Sequence, residues 1–298
     1  MTESCNVAFL GIGLTGGIMA RRLIAAGFPT TLWDNASDEA AAVASIGGTV
    51  AASPADAVRD AHVVLTMLGR NPAVADIILA EATAQALQPG TVVIDMSLIS
   101  PSEVRENAAR LAELRVAHID APVSGGVRGA EFGSLVIVAG GDPAVFARVE
   151  HLLRVLGRPI HVGPAGTGQL ARLANQIIVG ASIGALAEAL VLAEHGGADP
   201  INVRKALRAG FAESRVLELQ LERMVARNFT TKTGSAGQLS ALEDALDTAR
   251  ALDLKPMPYT ALTADLLRTL VERSGDIDHS AMILELERRC GTASLLVD

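Results

Sequence analysis

Short β-rich runs alternate with helical stretches from Asn6 to about Val162, a glycine-rich turn joins the first run to the first helix, and no run of comparable β character follows Gly168. These observations predict an α/β fold: an N-terminal Rossmann-type doubly wound sheet, then an all-α C-terminal domain, joined by a long interdomain helix. The expected domains are residues 1–164, which carry the sheet, and 165–298, which are helical.

The strands are expected at NVAFL, TTLWD, AHVVLTML, TVVIDM, VAHIDAPV and SLVIVAG, all parallel, with helices crossing between them. Gly27 suits the end of the first helix, and Ser53-Pro54, Pro89-Gly90 and Asp142-Pro143 suit caps or turns. Beyond the glycines at 163, 166 and 168, one helix is expected over about 168–195. Asp199-Pro200 starts the next, and later helices begin near Glu213, Leu239 and Pro258. A long helix this apolar must be covered on nearly every side, in the centre of the helical domain or at a subunit interface, so a homodimer or homotetramer is expected.

Composition narrows the function. The chain has 298 residues, half of them apolar and only 3% aromatic, as in Ala-, Val-, Leu- and Ile-rich sheets covered by helices. The net charge of -8, without a Lys/Arg block, argues against nucleic acid or anionic lipid as a partner. Cys5 and Cys290 alone make no disulfide framework, and the first residues do not read as a leader, so a cytoplasmic location is expected. The uncharged segment 173–187 is shorter than the roughly 20 residues of a bilayer span, and no membrane association is expected. The histidines, His195 among them, have no metal-ligand spacing, and no metal is expected.

Gly11, Gly13 and Gly16 follow the strand Val7 to Leu10 and open a helix, the context in which G-x-G-x-x-G lets backbone N–H groups approach a pyrophosphate. Without that context the turn reads equally well as a plain connection. Asp34 ends the second strand, where a carboxylate accepts hydrogen bonds from an adenosine ribose and repels a 2′-phosphate. NAD is therefore preferred over NADP, the alternative being that Asp34 only caps the next element.

Six segments carry a resemblance across nearly the whole chain: FLGIGLTGGIMARRL, TMLGRNPAV, VIDMSLISP, DAPVSGGVRGAEFGSL, GPAGTGQLARLANQ and DHSAMILEL. They are similar to the β-hydroxyacid dehydrogenase family, which includes 3-hydroxyisobutyrate dehydrogenases and tartronate semialdehyde reductases. The resemblance implies hydride transfer between NAD and a small 3-hydroxy acid or its semialdehyde. It implies cofactor contacts at Leu14, Met67, Leu68 and Ser97, and a substrate carboxylate held at Ser124, Gly125 and Gly126, a block that also reads as a tight connection. It places the reacting oxygen near residue 172, with Asn175 and Gln176 on the same helix face.

Three positions depart from the family pattern. Arg172 stands where the family has a lysine, Leu98 makes DMSL of the usual DMST, and Ser240 takes the place of a cofactor-side lysine for which Lys232 lies too far upstream. A guanidinium stays protonated and cannot shuttle a proton, though it can clamp a carboxylate or stabilise charge on an oxygen. The alternatives are an imine or other carbonyl reductase of the same architecture, and a catalytically impaired NAD-binding protein. Arg128 is left without an assigned role.

Overall fold

The computed structural model describes residues 5–35, 38–69, 74–230 and 234–292; Lys232 lies outside them. Two compact units divide in the sequence between Arg172 and Leu173.

The first unit runs β1 (Val7–Leu10), α1 (Leu14–Ala25), β2 (Thr30–Trp33), α2 (Asp38–Ala44), β3 (Thr49–Val50), α3 (Pro54–Val58), β4 (Val63–Thr66), α4 (Val74–Ile78) and α5 (Glu81–Ala86). It continues β5 (Val92–Asp95), α6 (Pro101–Glu113), β6 (Ala117–Asp120), β7 (Val123–Ser124), α7 (Gly126–Phe132), β8 (Leu135–Gly141), α8 (Pro143–Leu156) and β9 (Gly157–Gly163). The strand order is β3-β2-β1-β4-β5-β6-β8-β7, with β9 also on β8, and β1 through β6 are parallel.

Alternation of side chains splits the sheet's apolar residues between two layers. Phe9, Leu65 and Ile94 pack with Met19 and Leu23 of α1 and with Leu152 of α8. Ala8, Val64 and Val93 face Val58, Ile77 and Val104 on the other side. The chain leaves β1 for β2 and β3 on one side and then crosses to β4 on the other, so the carboxyl ends of β1 and β4 flank the point where an open α/β sheet has its crevice.

Local chemistry sets the helix ends as expected in most places. Ser53 and Asp142 accept backbone N–H groups at the starts of α3 and α8, each followed by Pro at the first position. Gly27 closes α1 with φ +89°. Ser100 and Glu103 form a reciprocal capping box that fixes the turn between β5 and α6.

The all-parallel expectation needs correction at the end of this unit. β8 runs antiparallel to both β6 and β7. The chain reaches β8 through the seven-residue α7, too short a connection to carry it back for a parallel pairing. β3 and β9 are not expected from the sequence: β3 has two residues, and Gly157 and Pro159 disguise β9, a strand paired with β8.

The long helix is α9 (Thr167–His195), 29 residues, in close agreement with the expected span. The second unit holds most of it and continues with α10 (Pro200–Arg208), α11 (Arg215–Ala226), α12 (Ser235–Ala251), α13 (Pro258–Ser274), a 3-10 turn at His279–Ala281 and α14 (Met282–Arg289). α12 starts four residues before the expected Leu239, because Ser235 and Gln238 are buried polar residues that break the apolar pattern there. Ile183, Leu190, Leu221, Leu242, Leu267 and Met282 form this unit's core.

Within one chain α9 is not covered on nearly every side, with Ile178 65% and Leu192 76% exposed. By length and composition it is also apolar enough to cross a bilayer. The 173–187 segment looked too short only because Arg172 and Glu188 bound the uncharged stretch.

Candidate active site

A cleft of about 420 Å³ lies over the carboxyl ends of β1 and β4 in the first unit, lined among others by Gly13, Leu14, Gly16, Met67, Leu68, Ser97 and Gly126. Each of these was singled out in the sequence. The turn after β1 works by close approach. Gly11 has φ +96° and a Cβ there would lie 2.4 Å from the Met67 carbonyl oxygen; a Cβ on Gly16 would lie 2.2 Å from the Gly11 oxygen. At Gly13 a Cβ would meet nothing within 4 Å, so that face of the turn is open. Gly13 caps α1 without a side-chain acceptor, and the first turn carries no acidic residue, which suits an anionic phosphate group. Asp34 at the end of β2 accepts the Ile12 N–H through Oδ2 at 2.5 Å, bringing its carboxylate to the glycine turn. These features fit a dinucleotide.

Beneath the cleft the carboxyl-terminal edge of the sheet carries a row of buried polar groups. Thr66, Asp95 and Asp120 are register partners on β4, β5 and β6 and share one face. Asp95 Oδ1 accepts from Thr66 Oγ1 at 2.7 Å and from the Ser97 N–H at 2.9 Å. Ser97 Oγ in turn accepts the Leu68 N–H at 2.9 Å. Sheet residues thereby hold two cleft-lining loops together.

Asp120 ties the start of α9 to β6. Its Oδ1 accepts the Gly166 N–H at 2.8 Å and its Oδ2 the Gln169 N–H at 2.9 Å. A Cβ on Gly168 would lie 2.5 Å from the Val138 oxygen and 2.7 Å from Asp120 Oδ2, so glycine is what lets the helix approach so closely. Burial pushes the Asp120 carboxyl above the usual carboxylate range, against the pull of the two N–H donors. Burial likewise pushes His118 below its ordinary value, with the charge of Asp95 opposing.

The side chain of Gln169 is wholly buried. Its Nε2 donates to the Ser97 carbonyl at 2.7 Å, and its Oε1 accepts from Arg172 Nε at 2.9 Å. Arg172, half-buried, is thus connected through one side chain to the loop that lines the cleft. Gln169, Thr66, Asp95 and Asp120 had no assigned role in the sequence. The available signal for Gln169 was a polar residue three positions before Arg172 on a mostly apolar helix.

Ser124, Gly125 and Gly126 form an exposed turn with φ +134° and +60° at the two glycines; Gly126 lines the cleft, while Ser124 and Gly125 stand beside it in sequence. Leu98, 48% exposed, adds an apolar wall to the same cleft. Arg128 is exposed and is not among the cleft-lining residues. Asn175 and Gln176 belong to the second unit, where Asn175 is exposed and the Gln176 carbonyl accepts from Gln238 Nε2 at 2.9 Å. Ser240 lies on α12, half-buried, and His195 is exposed.

Residues 6–168 match the family described as the NAD binding domain of 6-phosphogluconate dehydrogenase, and residues 166–286 that described as the NAD-binding domain of NADP-dependent 3-hydroxyisobutyrate dehydrogenase. The chain is 39% identical over 287 residues to 2-hydroxy-3-oxopropionate reductase of Escherichia coli, covering 95% of this chain and 97% of that protein. It is 29% identical over 298 residues to 2-(hydroxymethyl)glutarate dehydrogenase of Eubacterium barkeri, covering 98% of each. Among solved structures, 3-hydroxyisobutyrate dehydrogenase of Mycobacterium tuberculosis with L-serine superposes with a TM-score of 0.87 at 30% identity, over 95% of this chain and 99% of that one. Imine reductases share the fold, at 16% identity and a TM-score of 0.61 for that of Myxococcus stipitatus. With a cofactor cleft built on G-x-G-x-x-G and these matches along its length, the chain belongs to the β-hydroxyacid dehydrogenase family of NAD(P)-binding oxidoreductases.

Proposed function

We propose that this protein transfers a hydride reversibly between NAD and a small 3-hydroxy acid or its semialdehyde. The observation that carries the reading is the hydrogen-bonded path from the cleft-lining Ser97 through Gln169 to Arg172, which ties a permanently charged side chain to a loop of the cleft. The nicotinamide supplies or accepts the hydride. The chain's own residues do the rest.

The Ser124 hydroxyl and the N–H groups of Gly125 and Gly126 hold the substrate carboxylate, a role supported by the exposed positive-φ turn. Arg172 stabilises negative charge on the reacting oxygen, and water or another group carries the proton because a guanidinium does not give one up. Asn175 and Gln176 orient the hydroxyl or carbonyl through their amides. Asp34, already turned to the glycine loop, receives the adenosine ribose and disfavours a 2′-phosphate, so NAD is preferred. The E. coli relative reduces a semialdehyde by its name, and the M. tuberculosis enzyme was solved with L-serine, a small 3-hydroxy acid. A homodimer or homotetramer that covers the apolar side of α9 completes the reading, and its site of action is the cytoplasm.

The test is initial-rate assay of purified protein with NADH and NADPH against 2-hydroxy-3-oxopropionate, other semialdehydes, keto acids and cyclic imines, and with 3-hydroxyisobutyrate and L-serine in the oxidative direction. Semialdehyde-dependent NADH oxidation is expected. Turnover of imines alone overturns the substrate class, and tight NADH binding without turnover of anything in the panel overturns the enzyme reading.

A further inference from the structure

We propose that Gln169 is a positioning residue, a clamp that sets the plane of the Arg172 guanidinium from the cofactor loop; this rests on the reading that Arg172 meets the substrate. A buried primary amide is costly unless both ends are paired. Here both are: Nε2 donates to Ser97 O, and Oε1 accepts from Arg172 Nε. The first bond leaves the helix for the Ser97 loop, and the second is an i,i+3 side-chain pair on α9. Its backbone requirement at this point is met by the Gln169 N–H on Asp120, which needs no particular side chain. An apolar side chain of the same length would fill the space, so the amide is there for its two polar contacts.

The geometry of the bond explains its use. Arginine carries a donor at Nε, on the side of a rigid planar group, in addition to its terminal nitrogens. Engaging Nε fixes the direction in which that plane faces, and the anchor is Ser97, whose Oγ also receives the Leu68 N–H in the cofactor cleft. The clamp is therefore specific to arginine. A lysine at 172 carries its donors only at Nζ and has no plane for Gln169 to orient.

Kinetics and Arg Nε–H NMR together test this. In the NADH complex the Arg172 Nε–H resonance is identified by its disappearance in Arg172→Lys. In Gln169→Met it should exchange with solvent on the order of tenfold faster, since its acceptor is gone. The same substitution should lower kcat for the semialdehyde about tenfold, with KM for NADH changed less than about twofold, and cost less than about twofold in the Arg172→Lys background. An equal loss in both backgrounds, or an unchanged Nε–H in Gln169→Met, overturns the clamp. Should Gln169→Met fail to fold, Gln169→Asn serves: its shorter amide cannot span Ser97 and Arg172, so the Nε–H should lose protection from exchange, and an unchanged Nε–H overturns the proposal. Wild-type protein without turnover defeats the proposed function, while the Nε–H comparison still decides the clamp.

Discussion

The backbone N–H of Gln169 donates to Asp120 Oδ2 at 2.9 Å, joining the DAPVSGG segment to the first turn of α9 across 49 positions of sequence. The Gly166 N–H reaches the other oxygen of the same carboxylate. Asp120→Asn converts one acceptor into an NH2 facing an N–H donor. A loss of about 1–3 kcal/mol in unfolding free energy is expected from the unpaired buried groups, measured by urea denaturation. A change within experimental error would show that the helix start is held by other contacts.

Gly16 bears the tightest approach in the glycine turn. In Gly16→Ala the new methyl would press on the Gly11 carbonyl, and the turn has to open. An overpacking cost of about 1–3 kcal/mol is expected, together with loss of NADH affinity in fluorescence titration. Unchanged affinity would remove this turn from the cofactor site.

The proposed preference for NAD rests on Asp34. Asp34→Asn keeps an acceptor for the Ile12 N–H but removes the charge that opposes a 2′-phosphate. The ratio of kcat/KM for NADPH over NADH should rise on the order of tenfold. A ratio that stays put would place the discrimination elsewhere.

Glu285 gives a pH signature unrelated to catalysis. Its hydrogen bond with Arg288, reinforced by Arg289, lowers its pKa from 4.5 to about 2 against the opposing effect of burial. A depressed carboxyl pKa stabilises the fold at pH above the unfolded value, and the advantage is lost as pH falls toward the folded one. Wild type should therefore melt above Glu285→Gln at neutral pH, the gap closing between pH 4.5 and about 2. A gap independent of pH would mean that the carboxylate's charge contributes nothing.

Local features were legible in the sequence, and long-range ones were not. The glycines after β1, Asp34 at the end of β2 and the caps at Ser53 and Asp142 depend on neighbouring residues and backbone conformation, which a sequence displays directly. α9 was also readable, since a glycine-rich stretch precedes a long apolar run without a proline. β9 was not, because Gly157 and Pro159 argue against a strand until β8 is beside them. The site divides the same way. Cleft-lining Leu14, Met67, Leu68 and Ser97 followed from the segments that carry them, whereas the contact of Gln169 with Ser97 spans 72 positions and exists only once the sheet has formed.

The most direct measurement is the distance from the Arg172 guanidinium to a captured carboxylic substrate or product in a crystal structure with NAD. A terminal nitrogen of Arg172 is expected within about 3.2 Å of the substrate's reacting oxygen, with the substrate carboxylate on Ser124 to Gly126. A bound substrate whose reacting oxygen meets a different residue, with Arg172 turned to solvent, would contradict it.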